Sequence, residues 1–146
     1  MNDTYDLIIS IASKKYRVPF AWIKAVIATE SNFDRMAFRA EPRINDASRG
    51  LMQLLLKTAR SLGFADDPDY LFDPDVNIDL GTKLLAELLG RCGNDFAKVY
   101  SAYNSGSCEA YLTSAQVARN VERAQGNLAT IQGEKKTPQT RKKRGT

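Results

Sequence analysis

Apolar residues recur along this chain at helical spacing. Leu7, Ile8, Ile11 and Ala12 form an i, i+3, i+4 stripe and predict a first helix from about Asp3 to Lys15, capped by Asn2 or Asp3. Pro19 suits the first turn of a second helix that runs through Phe20, Ile23, Val26 and Ile27 to about Ser31. From Asn32 to Arg49 the periodicity is lost, and Pro42 with several turn formers predicts a long irregular connection, of a kind that often carries function. A short helix follows near Leu55 to Leu62 and stops at Gly63. The acid- and proline-rich stretch Ala65 to Asp75 reads as a surface loop. The next helix, Val76 to about Arg91, buries Leu80, Leu84, Leu85 and Leu88, with Gly81 as a point of close helix contact. Another starts at Asn94 or Asp95, carries Phe96, Val99, Tyr100 and Tyr103 on one face, and ends in the Asn104-Ser105-Gly106 turn. The last runs from Ser114 to Ile131 on Val117, Val121 and Leu128. No internal repeat and no convincing strand pattern appear. The fold class is therefore all-α, or mostly α with a minor strand, in a single domain of six or seven helices.

Composition changes this picture little. A length of 146 residues suits one domain, and 43% hydrophobic with 26% charged residues is ordinary for a globular chain. No run of about 18 apolar residues is present to span a membrane. The start, MNDTYDLIIS, has two acids and no basic region, so no secretory signal peptide is expected there. Charge is more informative in its distribution than in its sum of +4. Residues 133–146 (GEKKTPQTRKKRGT) lack any large apolar side chain and hold Lys135, Lys136, Arg141, Lys142, Lys143 and Arg144 against Glu134 alone. We expect a body over 1–132 and a basic disordered tail over 133–146. The body is left slightly acidic, so an electrostatic hold on anionic polymers belongs to the tail and is non-specific.

Candidate chemistry is narrowed by what is missing. Histidine is absent, which removes histidine-dependent triads and histidine-ligated metals. Cys92 and Cys108 alone do not make a zinc site. They read as two thiols, a disulfide between them being the alternative. Asp73, Asp75, Asn77 and Asp79 alternate like early calcium-loop ligands, but Ile78 and Leu84 stand where such a loop needs Gly and Glu. Helix-start acids explain Asp73 and Asp75 instead. Glu30 is different. It lies i+3, i+4 and i+7 from Ile27, Val26 and Ile23, on the apolar face of its helix and in its last turn. Burial and the negative end of the helix dipole both disfavour its charged form, as a general acid working near neutral pH requires. The competing reading is a helix-end glutamate that swings out to water. Two other segments stand out: Gly50-Leu51-Met52-Gln53, where a glycine allows close approach of backbone to ligand and Gln53 offers amide groups, and Ala102-Tyr103-Asn104-Ser105-Gly106, with a phenol and an amide at a helix end.

Taken in order, ATES (28–31), RGLMQL (49–54) with Thr58-Ala59, LFDPDVNIDLGTKLL (71–85) and SAYNSG (101–106) resemble the lytic transglycosylase family of the soluble type, the SLT domain, including its bacteriophage-encoded members. The resemblance covers about residues 16 to 106. It implies a lysozyme-like fold with Glu30 as the sole catalytic acid/base, and it implies substrate contacts from Ser31, Met52, Gln53, Tyr103 and Asn104. The chain departs from the family's pattern at Leu56, often proline, at Ala47-Ser48, often Gly-Ala, and at Gln116 and Asn120, where glutamate and tyrosine are common. A hydrolytic glycosidase usually needs a second carboxylate. None accompanies Glu30 in the matched motifs, although Asp34, Glu41 and Asp46 lie in the irregular segment.

The activity so implied is cleavage of the MurNAc-β-1,4-GlcNAc bond of peptidoglycan with formation of 1,6-anhydro-MurNAc. It needs no metal and no cofactor. Two alternatives are a muramidase that uses water and a non-catalytic glycan-binding or structural virion component. The implied partners are glycan strands, with virion or secretion-machine proteins. The implied place of action is the bacterial envelope, reached as part of a phage particle, with holin-released lysis or a secretion machine as the other routes.

Overall fold

A computed structural model describes the backbone of residues 1–145 and the side chains of residues 1–134. Helix α2 (Phe20–Ser31) is the axis of the core. It is apolar on nearly every side, with Ile23, Ala25, Val26 and Ile27 fully buried, so other elements enclose it. These are α1 (Asp6–Tyr16), α4 (Pro74–Cys92), α5 (Phe96–Ser105) and α6 (Ala115–Gly145). Lys24 is buried on α2 because Asp6, in the first turn of α1, meets it at 2.8 Å. A second, smaller cluster joins Leu54, Ala59, Leu62, Phe64, Leu71 and Leu80 between the short α3 (Leu56–Ser61), the 3-10 turn Pro68–Phe72 and α4.

The irregular connection folds as a small sheet. Strands β1 (Phe38–Glu41), β2 (Asp46–Arg49) and β3 (Leu54–Leu55) pair antiparallel in that order, with Phe38 opposite Arg49, Glu41 opposite Asp46 and Ser48 opposite Leu55. A 3-10 turn at Pro42–Ile44 closes the hairpin, with Asn45 in the left-handed region. The mostly α class stands, with this sheet as its minor strand content.

Three expectations need correction. On α1 the buried residues are Ile9 and Ala12, while Leu7 and Ile11 are 74% and 59% exposed. The inward face lies about one residue away from the predicted stripe, because α1 packs against both α2 and α4 and Tyr5, Ile8 and Tyr16 complete the contact. The last helix runs past Ile131 through Glu134, whose carboxylate receives the α-amino group of Met1 at 2.7 Å. From residue 135 on, the expected disordered tail lies outside the side chains described.

The third correction concerns the cysteines. Cys92 and Cys108 form a disulfide, their Cα atoms 5.7 Å apart, joining the last residue of α4 to the connection between α5 and α6. That connection is also held by Ser101, whose hydroxyl donates to the Ser107 carbonyl (2.8 Å) and accepts from the Tyr111 amide (3.2 Å). Closing a loop of this length removes denatured-state entropy worth about 3 kcal/mol. Reduction is expected to lower the melting temperature while leaving the helix content intact. Calorimetry with and without reductant checks this, and an unchanged melting point would mean the loop is fixed by its hydrogen bonds alone.

Candidate active site

Glu30 sits in the final turn of α2, which ends on Asn32 and Phe33, two consecutive residues with φ of 50° and 65°. Its carboxyl is half-buried and accepts a hydrogen bond from the Tyr100 hydroxyl on α5. Tyr100 is itself fully buried in an aromatic row: Trp22 edge-on to Phe96 at 5.4 Å, Phe96 stacked on Tyr100 at 6.2 Å, and Tyr100 stacked on Tyr103 at 6.1 Å. Residues 96, 100 and 103 share a face of α5 through their i, i+4, i+7 spacing. The row therefore delivers a phenol to Glu30 from a rigid support.

Electrostatics at Glu30 are opposed. Burial pushes its carboxyl above the usual carboxylate range, and the Tyr100 hydroxyl, Arg123 of α6 and Arg39 of β1 each pull it back by favouring the anion. Burial prevails. The phenols of Tyr100 and Tyr103 are raised too, by burial first and by the charge of Glu30 second, so both remain donors across the physiological range. Removing the Tyr100 hydroxyl, as in Tyr100→Phe, takes away a stabiliser of the anion and should move the Glu30 pKa further up. The carboxyl resonance of Glu30 followed against pH reads this directly, and a downward shift would show that water replaces the phenol.

The other sequence candidates gather around Glu30 without all facing a ligand. The Ser31 hydroxyl donates to the Leu51 carbonyl at 2.7 Å and so ties the end of α2 to the Gly50–Gln53 turn. Met52 is fully buried. Its amide donates to Asn77 (2.7 Å), its carbonyl accepts from the Tyr103 hydroxyl (2.5 Å), and its side chain fills the space above Gly81, where any Cβ would collide with it. Gln53, at φ 52°, turns its amide nitrogen back to the carbonyls of Ala37 (3.1 Å) and Gly50 (2.9 Å), leaving its oxygen without a hydrogen-bond partner among the described residues. Gly50 is needed not for a ligand but for Asn77 and the Leu71 carbonyl, which occupy the position of a Cβ, and for its own φ of 78°. Asn104 is exposed at the end of α5 and accepts from Asn120 at 3.1 Å. A groove of about 440 Å³ starts at Tyr103 and Asn104 and runs between Leu55, Thr58, Glu87 and Arg91. A larger depression of about 650 Å³, between α1 and α4 near Tyr16, Phe64 and Val76, holds none of these residues.

The three acids that sequence left open, Asp34, Glu41 and Asp46, are spent on structure, and Asp73 serves as the helix-start acid expected of it. Asp46 accepts from the amides of Ala47 (2.7 Å), Leu56 (3.1 Å) and Lys57 (2.9 Å), capping α3 from a neighbouring strand. Burial raises its pKa, but those amides and Arg49 outweigh it and hold the carboxyl below its ordinary value. Asp34 accepts from the Met36 amide and Glu41 pairs with Arg39. Asp73 caps α4 through the Asp75 amide. Of the remaining alternating residues, Asp79 meets Lys15 and Tyr16, and Asn77 is the buried hub of the Gly50–Gln53 turn.

Sequence reasoning placed Tyr100 among the core residues and did not single out Arg39, Arg123 or Asn77 as parts of this site. The aromatic spacing on α5 was the available signal for Tyr100. Nothing in local pattern marks the others, whose roles depend on contacts between distant segments.

Residues 7–125 match the model of the transglycosylase SLT domain. Among solved structures, the chain is similar to an inactive glutamate-to-glutamine mutant of the lytic transglycosylase Slt from Pseudomonas aeruginosa, at 25% identity and a TM-score of 0.71 over 91% of this chain and 24% of that one. It is also similar in fold to the 70-kDa soluble lytic transglycosylase of Escherichia coli, at 22% identity and a TM-score of 0.64 over 86% of this chain and 19% of the other. A complex of the 70-kDa soluble lytic transglycosylase with bulgecin A gives 22% identity and a TM-score of 0.63, again over 86% and 19%. The chain thus spans about a fifth to a quarter of the length of these proteins.

Proposed function

We propose, on the premise that this chain belongs to the transglycosylase SLT domain family, that it cleaves peptidoglycan glycan strands as a lytic transglycosylase with Glu30 as its single acid/base. The observation that carries the proposal is one carboxyl, raised by burial and bonded to a phenol, with Arg39 and Arg123 as the charged groups acting on it. The acids of the nearby connection are engaged in capping and pairing.

A carboxyl raised in this way holds its proton more firmly than a free carboxyl does and can give it to the glycosidic oxygen as the C1–O bond of N-acetylmuramic acid breaks. The sugar's own N-acetyl oxygen takes the place of an enzyme nucleophile at C1. Glu30, now an anion favoured by Tyr100, Arg123 and Arg39, then removes the proton of the C6 hydroxyl. That oxygen attacks C1 and displaces the N-acetyl oxygen, which restores the acetamido group, closes the 1,6-anhydro ring and returns the site to its starting protonation. No water is consumed. Met52 contributes backbone rather than side chain to this site, so substrate contacts are assigned to the Gln53 oxygen, Tyr103 and Asn104, and Ser31 holds Glu30 in place.

The product decides between chemistries. Mass spectrometry of a digest of purified sacculi should show 1,6-anhydromuropeptides with no added metal. Reducing-end muropeptides would point to a muramidase, and the absence of either would remove the enzymatic reading. Among the described residues no helix is long and apolar enough to cross a membrane. We place the activity in the bacterial envelope and take delivery by a virion as the route, with detection in purified particles as its test. The basic residues 135–144 would add a salt-sensitive hold on anionic wall polymers. Sacculus binding at low salt that survives truncation after Gly133 would take the tail out of this account.

A further inference from the structure

Three consecutive residues at the end of α2 are each fastened to a different element. Ser31 is bonded to the Leu51 carbonyl and Glu30 to Tyr100 of α5. Thr29 is bonded to α6: its hydroxyl donates to the Ala25 carbonyl at 2.7 Å, which leaves an oxygen lone pair to accept from the Asn127 amide at 2.9 Å. We infer that the Asn127–Thr29 bond positions Glu30 for the proposed reaction, by fixing the register of α6 against the end of α2.

The reason is directional. The inward residues of α6 are Val121, Ala124 and Ile131, with Val117 and Leu128 beside them, small or aliphatic side chains whose contacts would survive a slide along the helix axis. Dispersion and burial hold two helices together without choosing one register. A hydrogen bond does choose, because a slip of one turn is about 5.4 Å and breaks it outright. Asn120, Arg123 and Asn127 lie on one side of α6 by their i, i+3, i+7 spacing. The register that seats Asn127 on Thr29 also brings Asn120 to Asn104 and sets Arg123 where its charge acts on Glu30 and Tyr100. Asn127 touches no reacting atom in this scheme. It acts through Thr29, one residue before the carboxyl.

The inference rests on the transglycosylase reading, and its test is built so that the two can fail separately. Asn127→Ala and Thr29→Val should each lower kcat about ten- to a hundredfold, the scale of a small misplacement of a reacting group, with KM changed less than about twofold. Their double variant should be no worse than the poorer single one, because both cut the same bond. Thr29→Ser, which keeps the hydroxyl, should restore kcat. The second readout is the Glu30 carboxyl titration by NMR. The groups facing Glu30 are Tyr100 and Tyr103 of α5, Arg123 of α6 and Arg39 of β1. Releasing the clamp admits water, and the pKa should fall toward the ordinary carboxylate range. Independent losses that multiply in the double variant, or a titration unchanged in Asn127→Ala, would overturn the assignment. If wild-type protein releases no anhydro product, the reaction is wrong, and the titration still decides the clamp.

Discussion

Glu30→Gln is expected to fold, to keep the acceptor for Tyr100, and to lose turnover by at least about 10³-fold, since one group serves as both acid and base and such catalysis is worth about 10² to 10⁴ for a single transfer. The same substitution has an opposite effect on stability, with a defined sign. The folded state holds the Glu30 proton more tightly than the unfolded chain does. Between the ordinary carboxylate pKa and the raised folded one, stability therefore declines as pH rises, and above the folded pKa the penalty is fully present. Glutamine carries no such penalty. The variant should melt higher than wild type at neutral pH, and its advantage should vanish below the ordinary carboxylate pKa. Melting temperatures of both proteins from acid to neutral pH, beside a product assay, give the two halves of the result. A pH-independent difference would mean that Glu30 is not held protonated by its surroundings, and retained turnover would mean that another group is the acid.

The largest loss of stability is expected at Asn77. Its side chain is fully buried and makes three bonds that join separate segments: it accepts from the Met52 amide (2.7 Å) and donates to the carbonyls of Arg49 (2.9 Å) and Leu71 (2.8 Å). Asn77→Ala leaves one amide and two carbonyls without their partner in an interior that water does not readily enter. At about 1 to 3 kcal/mol for an unsatisfied buried group, with partial relaxation, the cost should be about 3 to 5 kcal/mol. Asn77→Asp is a sharper test. It keeps the acceptor for Met52 but turns a donor toward two carbonyls into a second acceptor, so it should be no better than alanine at neutral pH. Chemical denaturation of both variants checks the prediction. A loss under about 1 kcal/mol would mean the Gly50–Gln53 turn holds its shape by itself. Because that turn carries Gln53 and supports Tyr103 through the Met52 carbonyl, activity should fall along with stability.

Helices and the catalytic candidate were legible in the sequence because both depend on spacing within one segment. The i, i+3, i+4 pattern located α2 and α4 to within two residues, and Asp95, named as one of two starting residues, does cap α5 by accepting from the Lys98 amide. Glu30 was marked by its place on α2, although the helix is buried nearly all round and Tyr100, not a single apolar face, defines its surroundings. The sheet was missed for a physical reason. Its strands are four, four and two residues long, β1 is largely exposed, and FRAE and DASR lack an alternation to read. Asn77, noted only in a calcium-like alternation that was set aside, and Asp46, left as an unassigned acid, were given no structural role because their partners, Met52 for one and Lys57 for the other, lie on segments that meet only in the folded chain. On α1, Leu7 and Ile11 fit a helical stripe as well as Ile9 does, and only the two helices packed against it choose between them.

The Cys92–Cys108 bond closes a covalent ring around the whole of α5, and Tyr100, Tyr103 and Asn104 are carried inside it. A protease that cuts once within this ring creates two chain ends but no free fragment. The polypeptide stays in one piece until a reductant acts, and the aromatic row keeps both of its attachments to the body. Nicked and intact protein would then run together on a non-reducing gel and separate only after thiol treatment.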